Sequence, residues 1–158
     1  MPSTNTIEIK DLPAMQALTC SHTGPYMQIS GVFQSLCGWL EAHDAFLPGT
    51  RLIGIYYDDP AVVPEEKLRS RAGAVFPEAA PQIESPFDWT EIPGGTYAVL
   101  LHKGPYSDLP NSYRWLYGEW LPHSGRTPAD HPAFEKYLNS PQVTPPEDLL
   151  TEICLPLR

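Results

Sequence analysis

Few architectures accommodate a chain that repeats itself at a fixed distance, and this one of 158 residues does so 80 positions apart. His22-Thr23-Gly24-Pro25-Tyr26 returns as His102-Lys103-Gly104-Pro105-Tyr106. The same offset pairs Pro13 with Pro93, Leu36 with Leu116, Gly38 with Gly118, His43 with His123, Pro48 with Pro128, Tyr57 with Tyr137 and Val63 with Val143, making 11 identities without a gap. The period exceeds the roughly 20–50 residues of stacked repeat arrays, so it reads as two halves of one domain. Paired halves create a seam, and ligand pockets favour junctions between structural units.

Periodicity supplies the elements. Ile7-Glu8-Ile9 alternates as a strand, and Met15 to Ser21 reads as a second. Ile29, Val32, Phe33, Leu36, Cys37 and Leu40 form the stripe of an amphipathic helix. Leu52 to Tyr57 and Leu68 to Phe76 read as two further strands. The second half repeats this order: strands at Phe87–Ile92 and Thr96–His102, then a helix from about Asp108 to Leu121. Strands at Phe134–Leu138 and Leu149–Leu155 close it. Asp108 is expected to be that helix's N-cap. Leu109, Tyr113, Leu116, Tyr117 and Trp120 are expected to form its apolar stripe. The fold class is α+β: a pseudo-two-fold duplication of a β-β-α-β-β unit, with antiparallel sheet and one helix per half. The single domain spans 1–158, with halves at about 6–76 and 87–158 and a proline-rich linker at 77–86.

Composition narrows the partners. With 10 basic and 19 acidic residues the net charge is −9. Such a surface repels a nucleic-acid backbone, and no Lys/Arg cluster offsets that, so no direct nucleic-acid partner is expected. A cationic small molecule or a basic protein surface suits it better. No apolar run reaches the roughly 18 residues of a spanning helix, so no membrane partner is expected. The N-terminus lacks a signal-peptide layout, and a cytoplasmic location follows as the expectation. Cys20, Cys37 and Cys154 are odd in number and widely spaced, as for small buried hydrophobes. No two histidines share a metal-ligand spacing on one element, and neither metal nor cofactor is expected.

Several residues stand out as site candidates. In His-x-Gly-Pro-Tyr, glycine permits positive φ and proline sets the next turn. Tyr26 and Tyr106 then either brace that turn or stack on a ligand at the seam. Trp39 and Trp115 lie off the core stripes of their helices and need another surface to cover them. Glu135 shares a strand face with Tyr137, and Glu152 shares one with Leu150 and Cys154. An acid on an apolar strand face is costly unless paired or able to meet a cation. At the offset of 80 these acids stand against Ile55 and Ala72, so the second half alone carries them. Either acid could instead point to water.

Taken in order, the two His-x-Gly-Pro-Tyr loops, Gly54-Ile55-Tyr56-Tyr57-Asp58-Asp59-Pro60, Phe134-Glu135-Lys136-Tyr137-Leu138 and Thr151-Glu152-Ile153-Cys154-Leu155-Pro156-Leu157 carry a resemblance. From about Ile7 to Arg158 the chain resembles the GyrI-like small-molecule-binding domain family, which includes SbmC-type DNA gyrase inhibitory proteins and the effector-binding domains of AraC-type and MerR-type regulators. The resemblance implies a groove between the halves that takes small hydrophobic or cationic ligands. It implies ligand contacts at Tyr26, Trp39, Tyr57, Tyr106, Trp115, Glu135, Tyr137 and Glu152. Regulators of this kind carry a helix-turn-helix region ahead of the domain, and only six residues precede Ile7, so this chain is not expected to act as one by itself. The leading expectation is a stand-alone ligand-binding protein. Two alternatives stay open. One is a hydrolase opening cyclopropane-containing DNA-alkylating compounds, with Glu135 or Glu152 as the catalytic carboxylate. The other is inhibition of DNA gyrase through protein contact.

Overall fold

The computed structural model describes residues 6–76 and 86–158; the expected linker, but for its last residue, lies outside the described residues. The strands are β1 (Thr6–Leu12), β2 (Met15–Thr23), β3 (Arg51–Tyr56), β4 (Arg69–Val75), β5 (Asp88–Ile92), β6 (Gly95–Lys103), β7 (Phe134–Tyr137) and β8 (Leu150–Pro156). The helices are α1 (Ser30–Ala42), α2 (Leu109–Trp115) and α3 (Leu121–Ser124), the last two joined by a π turn over Leu116–Trp120. The class is therefore mixed α and β, and each strand pairing described below is antiparallel. Among the described residues no helix is long and apolar enough to cross a membrane.

The chain divides into two compact units. The first, Ala14–Pro93, holds strands in the order β3-β4-β2-β5. Its α1 buries Leu36 and Leu40 completely against Leu18, Ala72 and Ala74. Each leucine so buried contributes about 1.5–3 kcal/mol of transfer free energy. The second unit, Met1–Pro13 with Gly94–Arg158, holds strands in the order β1-β6-β8-β7. There Leu109 and Leu116 pack on Ala98, Leu100, Ile153 and Leu155. Relative to the sequence halves, the units exchange their first strands. β1 pairs with β6, and β5 pairs with β2.

The His-x-Gly-Pro-Tyr loop is built alike in both units. Gly24 and Gly104 sit at φ 131° and 138°, a region that L side chains avoid. Their amides donate to the carbonyls of Leu68 (2.8 Å) and Leu149 (2.9 Å). The imidazole Nε2 of His22 lies 3.1 Å from the Pro25 carbonyl, and that of His102 3.2 Å from the Pro105 carbonyl. Asp108 does not cap the second helix by its side chain. It closes a single 3-10 turn, Tyr106–Asp108, whose backbone leads straight into α2.

Beyond the helix the offset between matching positions grows from 80 to 81. Leu68 and Leu149 already show it, and so do the amide bonds Tyr57→Arg69 (3.1 Å) and Leu138→Leu150 (3.0 Å). Asp58 Oδ2 accepts the Arg69 amide as Asn139 Oδ1 accepts that of Leu150. The π turn over Leu116–Trp120 has no counterpart in α1. The residue matching Glu135 is thus Gly54 rather than Ile55, and Glu152 matches Arg71 rather than Ala72. Tyr137 matches Tyr56.

Candidate functional site: a buried glutamate in an aromatic wall

Glu135 enters from β7 directly opposite Ile153 of β8. Side chains of paired strands alternate together, so Glu135 and Tyr137 share a face with Thr151, Ile153 and Leu155. This is the face on which the second unit's helix packs. Only 4% of Glu135 is exposed. A carboxylate taken out of water this far costs several kcal/mol unless polar groups replace its hydration.

Two phenols supply that replacement. Tyr113, one turn into α2, donates to Oε2 at 2.6 Å. Tyr137, two residues along β7, donates to Oε1 at 2.8 Å. The Tyr106 ring stands edge-on to Tyr137, with centroids 5.7 Å apart at 65°. Tyr113 lies parallel to Tyr117 at 6.4 Å. Tyr106 and Trp115 pack against the same core. Burial and, after it, the nearby Glu135 charge push the Tyr106 phenol above its ordinary pKa. Tyr106, Tyr113 and Tyr137 are each only partly buried. A carboxylate of low hydration and neighbouring π faces both attract a cation.

The two candidate acids do not converge. Lys136, not Glu135, stands opposite Glu152. Glu152 therefore lies on the other face of the sheet, where the Lys136 ammonium is 4.0 Å from its carboxylate. Of the remaining candidates, Tyr106 and Tyr137 join the Glu135 cluster, Trp115 packs against the second unit's hydrophobic core, and Tyr26, Trp39 and Tyr57 belong to the first unit.

Those three have local partners. The Tyr26 hydroxyl accepts from the Asp58 amide (2.9 Å) and has the Asp58 and Arg69 carbonyls at 2.8 and 3.1 Å to donate to. Trp39 stacks on His43 at 4.3 Å and meets Phe87 edge-on at 5.5 Å, which covers its off-stripe face. Tyr57 lies under the Arg69 guanidinium, 5.8 Å from its centroid. The ion pair of Arg69 with Asp58 (2.9 Å) holds that carboxyl below its usual pKa.

The sequence reading missed Tyr113 as a site residue. Its helical spacing marked it as core, and its ring does pack there. The available signal was its counterpart 80 residues earlier, Phe33, which has no hydroxyl. The first unit thus lacks both the acid, at Gly54, and the phenol, at Phe33. By contrast, the buried hydroxyls of Ser70 and Thr151 occupy matching positions and have no hydrogen-bond partner among the described residues. They belong to what the units share, not to what separates them.

With this geometry in place, the chain matches the family model of the GyrI-like small molecule binding domain over residues 5–158. A relative named DNA gyrase inhibitor, from Escherichia fergusonii, is 33% identical over 113 residues, covering 70% of this chain and 72% of the relative. The EcmrR C-terminal domain superposes with a TM-score of 0.79 at 19% identity, over 99% of both chains. In the EcmrR–DNA complex the match spans 98% of this chain but only 57% of EcmrR. SAV2435, solved bound to tetraphenylphosphonium, superposes with a TM-score of 0.66 at 13% identity, over 97% of this chain and 94% of that one. At these identities the structural matches speak to the fold alone.

Proposed function

Because the chain belongs to the GyrI-like small-molecule-binding family, we propose that it binds an amphipathic cation at Glu135 of its second unit. The observation that carries this reading is a carboxylate 4% exposed, held by the hydroxyls of Tyr113 and Tyr137 at the edge of an aromatic wall. Structural economy would place an apolar residue at that position, since a buried charge seldom adds stability over a well-packed hydrophobe. A carboxylate beside aromatic rings offers a cation both a charge and π faces. We read the asymmetry between units as a duplicated plan whose second copy acquired acid and phenol together. Tetraphenylphosphonium, found on the fold neighbour SAV2435, is the natural first probe.

Isothermal titration of tetraphenylphosphonium against the wild type and Glu135→Gln tests the reading. The amide keeps the shape and loses the charge. Binding should weaken about 30-fold, corresponding to the ~2 kcal/mol of a desolvated cation contact. Equal affinity for both proteins, or none for the wild type, sinks it.

Hydrolysis would ask Glu135 to take a proton from water. Both of its oxygens already accept phenol hydrogens, which stabilise the negative charge that a base must give up. The name of the Escherichia fergusonii relative favours a second reading, inhibition of DNA gyrase by contact. A supercoiling assay with purified gyrase decides it: inhibition by excess protein supports contact, and undiminished supercoiling removes it.

A further inference from the structure

Tyr26 and Tyr106 hold the same place in the same five-residue motif, but their hydroxyls do different things. That of Tyr26 is tied to the backbone of Asp58, within 2.8 and 2.9 Å of its carbonyl and amide. The position matching Asp58 is Asn139. Its side chain accepts from the Leu150 amide (2.9 Å) and donates to the Asp148 carbonyl (3.0 Å). The Tyr106 hydroxyl has no hydrogen-bond partner among the described residues.

The aromatic pairs differ in step. Tyr26 and Tyr56 stand 4.9 Å apart, Tyr106 and Tyr137 5.7 Å. Tyr137 directs its hydroxyl to Glu135. Tyr106 stands beside the acid site, its ring against Tyr137, with a donor and an acceptor to offer.

We infer that the Tyr106 hydroxyl is the hydrogen-bonding handle of the Glu135 site, selecting cations that carry a polar substituent, such as a hydroxyl, on their aromatic body. The inference rests on the cation-binding reading and refines it from any lipophilic cation to a functionalised one. Recognition divides between two groups: Glu135 supplies the charge, and Tyr106 discriminates among ligands of equal charge. An unmatched polar group on either side is penalised, which makes such a hydroxyl a discriminator more than an affinity source.

A matched pair of probes separates these roles: tetraphenylphosphonium and (4-hydroxyphenyl)triphenylphosphonium, titrated against wild type, Tyr106→Phe and Glu135→Gln. The wild type should bind the hydroxylated cation about five-fold tighter, within the range of one neutral hydrogen bond. Tyr106→Phe should lose that preference, binding the two cations with affinities within about two-fold of each other. Its melting temperature should not move, because no hydrogen bond within the protein is lost, so misfolding cannot imitate the result. Glu135→Gln should weaken both probes by a similar factor and keep the preference. A wild type that binds both cations equally overturns the inference and leaves the cation site standing. So does a preference that survives in Tyr106→Phe, as a hydroxyl merely wetted by solvent would allow. If neither cation binds the wild type, the cation reading falls and this inference falls with it.

Discussion

Replacing Tyr113 by Phe removes one oxygen from the Glu135 cluster and keeps the ring that packs on the core. The lost contact is a 2.6 Å phenol–carboxylate hydrogen bond. Its acceptor is 4% exposed, so bulk water recovers little of it. Hydrogen bonds to charged groups contribute about 1.5–3 kcal/mol, against about 0.5–1.5 kcal/mol between neutral groups. Tyr113→Phe should therefore destabilise the protein by about 1.5–3 kcal/mol. For a chain of this size that corresponds to a melting shift of roughly 3–12 °C. The same change in a Glu135→Gln background should cost only the neutral figure, leaving a coupling of about 1 kcal/mol or more in a double-mutant cycle. Urea titration followed by circular dichroism, on all four proteins, measures the coupling. If Tyr113→Phe stays within about 0.5 kcal/mol of its parent in both backgrounds, the phenol does not support a buried charge and the reasoning fails.

Three further outcomes follow from the same contacts. Tyr26→Phe should lose about 1–2 kcal/mol of stability, because its hydroxyl bonds to the Asp58 backbone, whereas Tyr106→Phe should lose less than about 0.5 kcal/mol; paired thermal melts compare them. Glu152→Gln should leave tetraphenylphosphonium affinity within about two-fold and stability within about 1 kcal/mol, since Glu152 lies on the opposite sheet face in a partly exposed pair with Lys136; titration and melting of the variant check both. Cys154 should resist alkylation in the native protein at pH 8, because burial holds its thiol up at about 12. Cys20 and Cys37, both partly exposed, should react first, as peptide mass spectrometry after iodoacetamide treatment will show.

Much of the fold was legible because periodicity and turn chemistry are local. The stripe Ile29–Leu40 formed α1, and both His-x-Gly-Pro-Tyr loops formed the expected turn. Pairing was not legible: nothing in Thr6–Leu12 says that β1 joins β6. Nor was the growth of the offset from 80 to 81. A gap-free comparison set Glu135 against Ile55, whereas backbone hydrogen bonds set it against Gly54. Alternation assigned Glu135 its strand face, but relating it to Glu152 required the register of β7 on β8. Tyr26 and Tyr106 are identical as sequence. What separates them is decided by Asp58, Asn139, Tyr56 and Tyr137, more than 25 residues downstream.

Where the cation sits relative to Glu135 can be reported directly by an arsenic atom. Crystals grown with tetraphenylarsonium, the heavier analogue of the phosphonium probe, would place the cationic centre by its anomalous scattering. The arsenic peak should lie within about 6 Å of the Glu135 carboxylate, the range over which a charge and an aromatic face still attract a cation. Its flanks should be Tyr106 and Tyr137. A peak on the opposite sheet face beside Lys136 and Glu152, or in the first unit with Glu135 unoccupied, would contradict it.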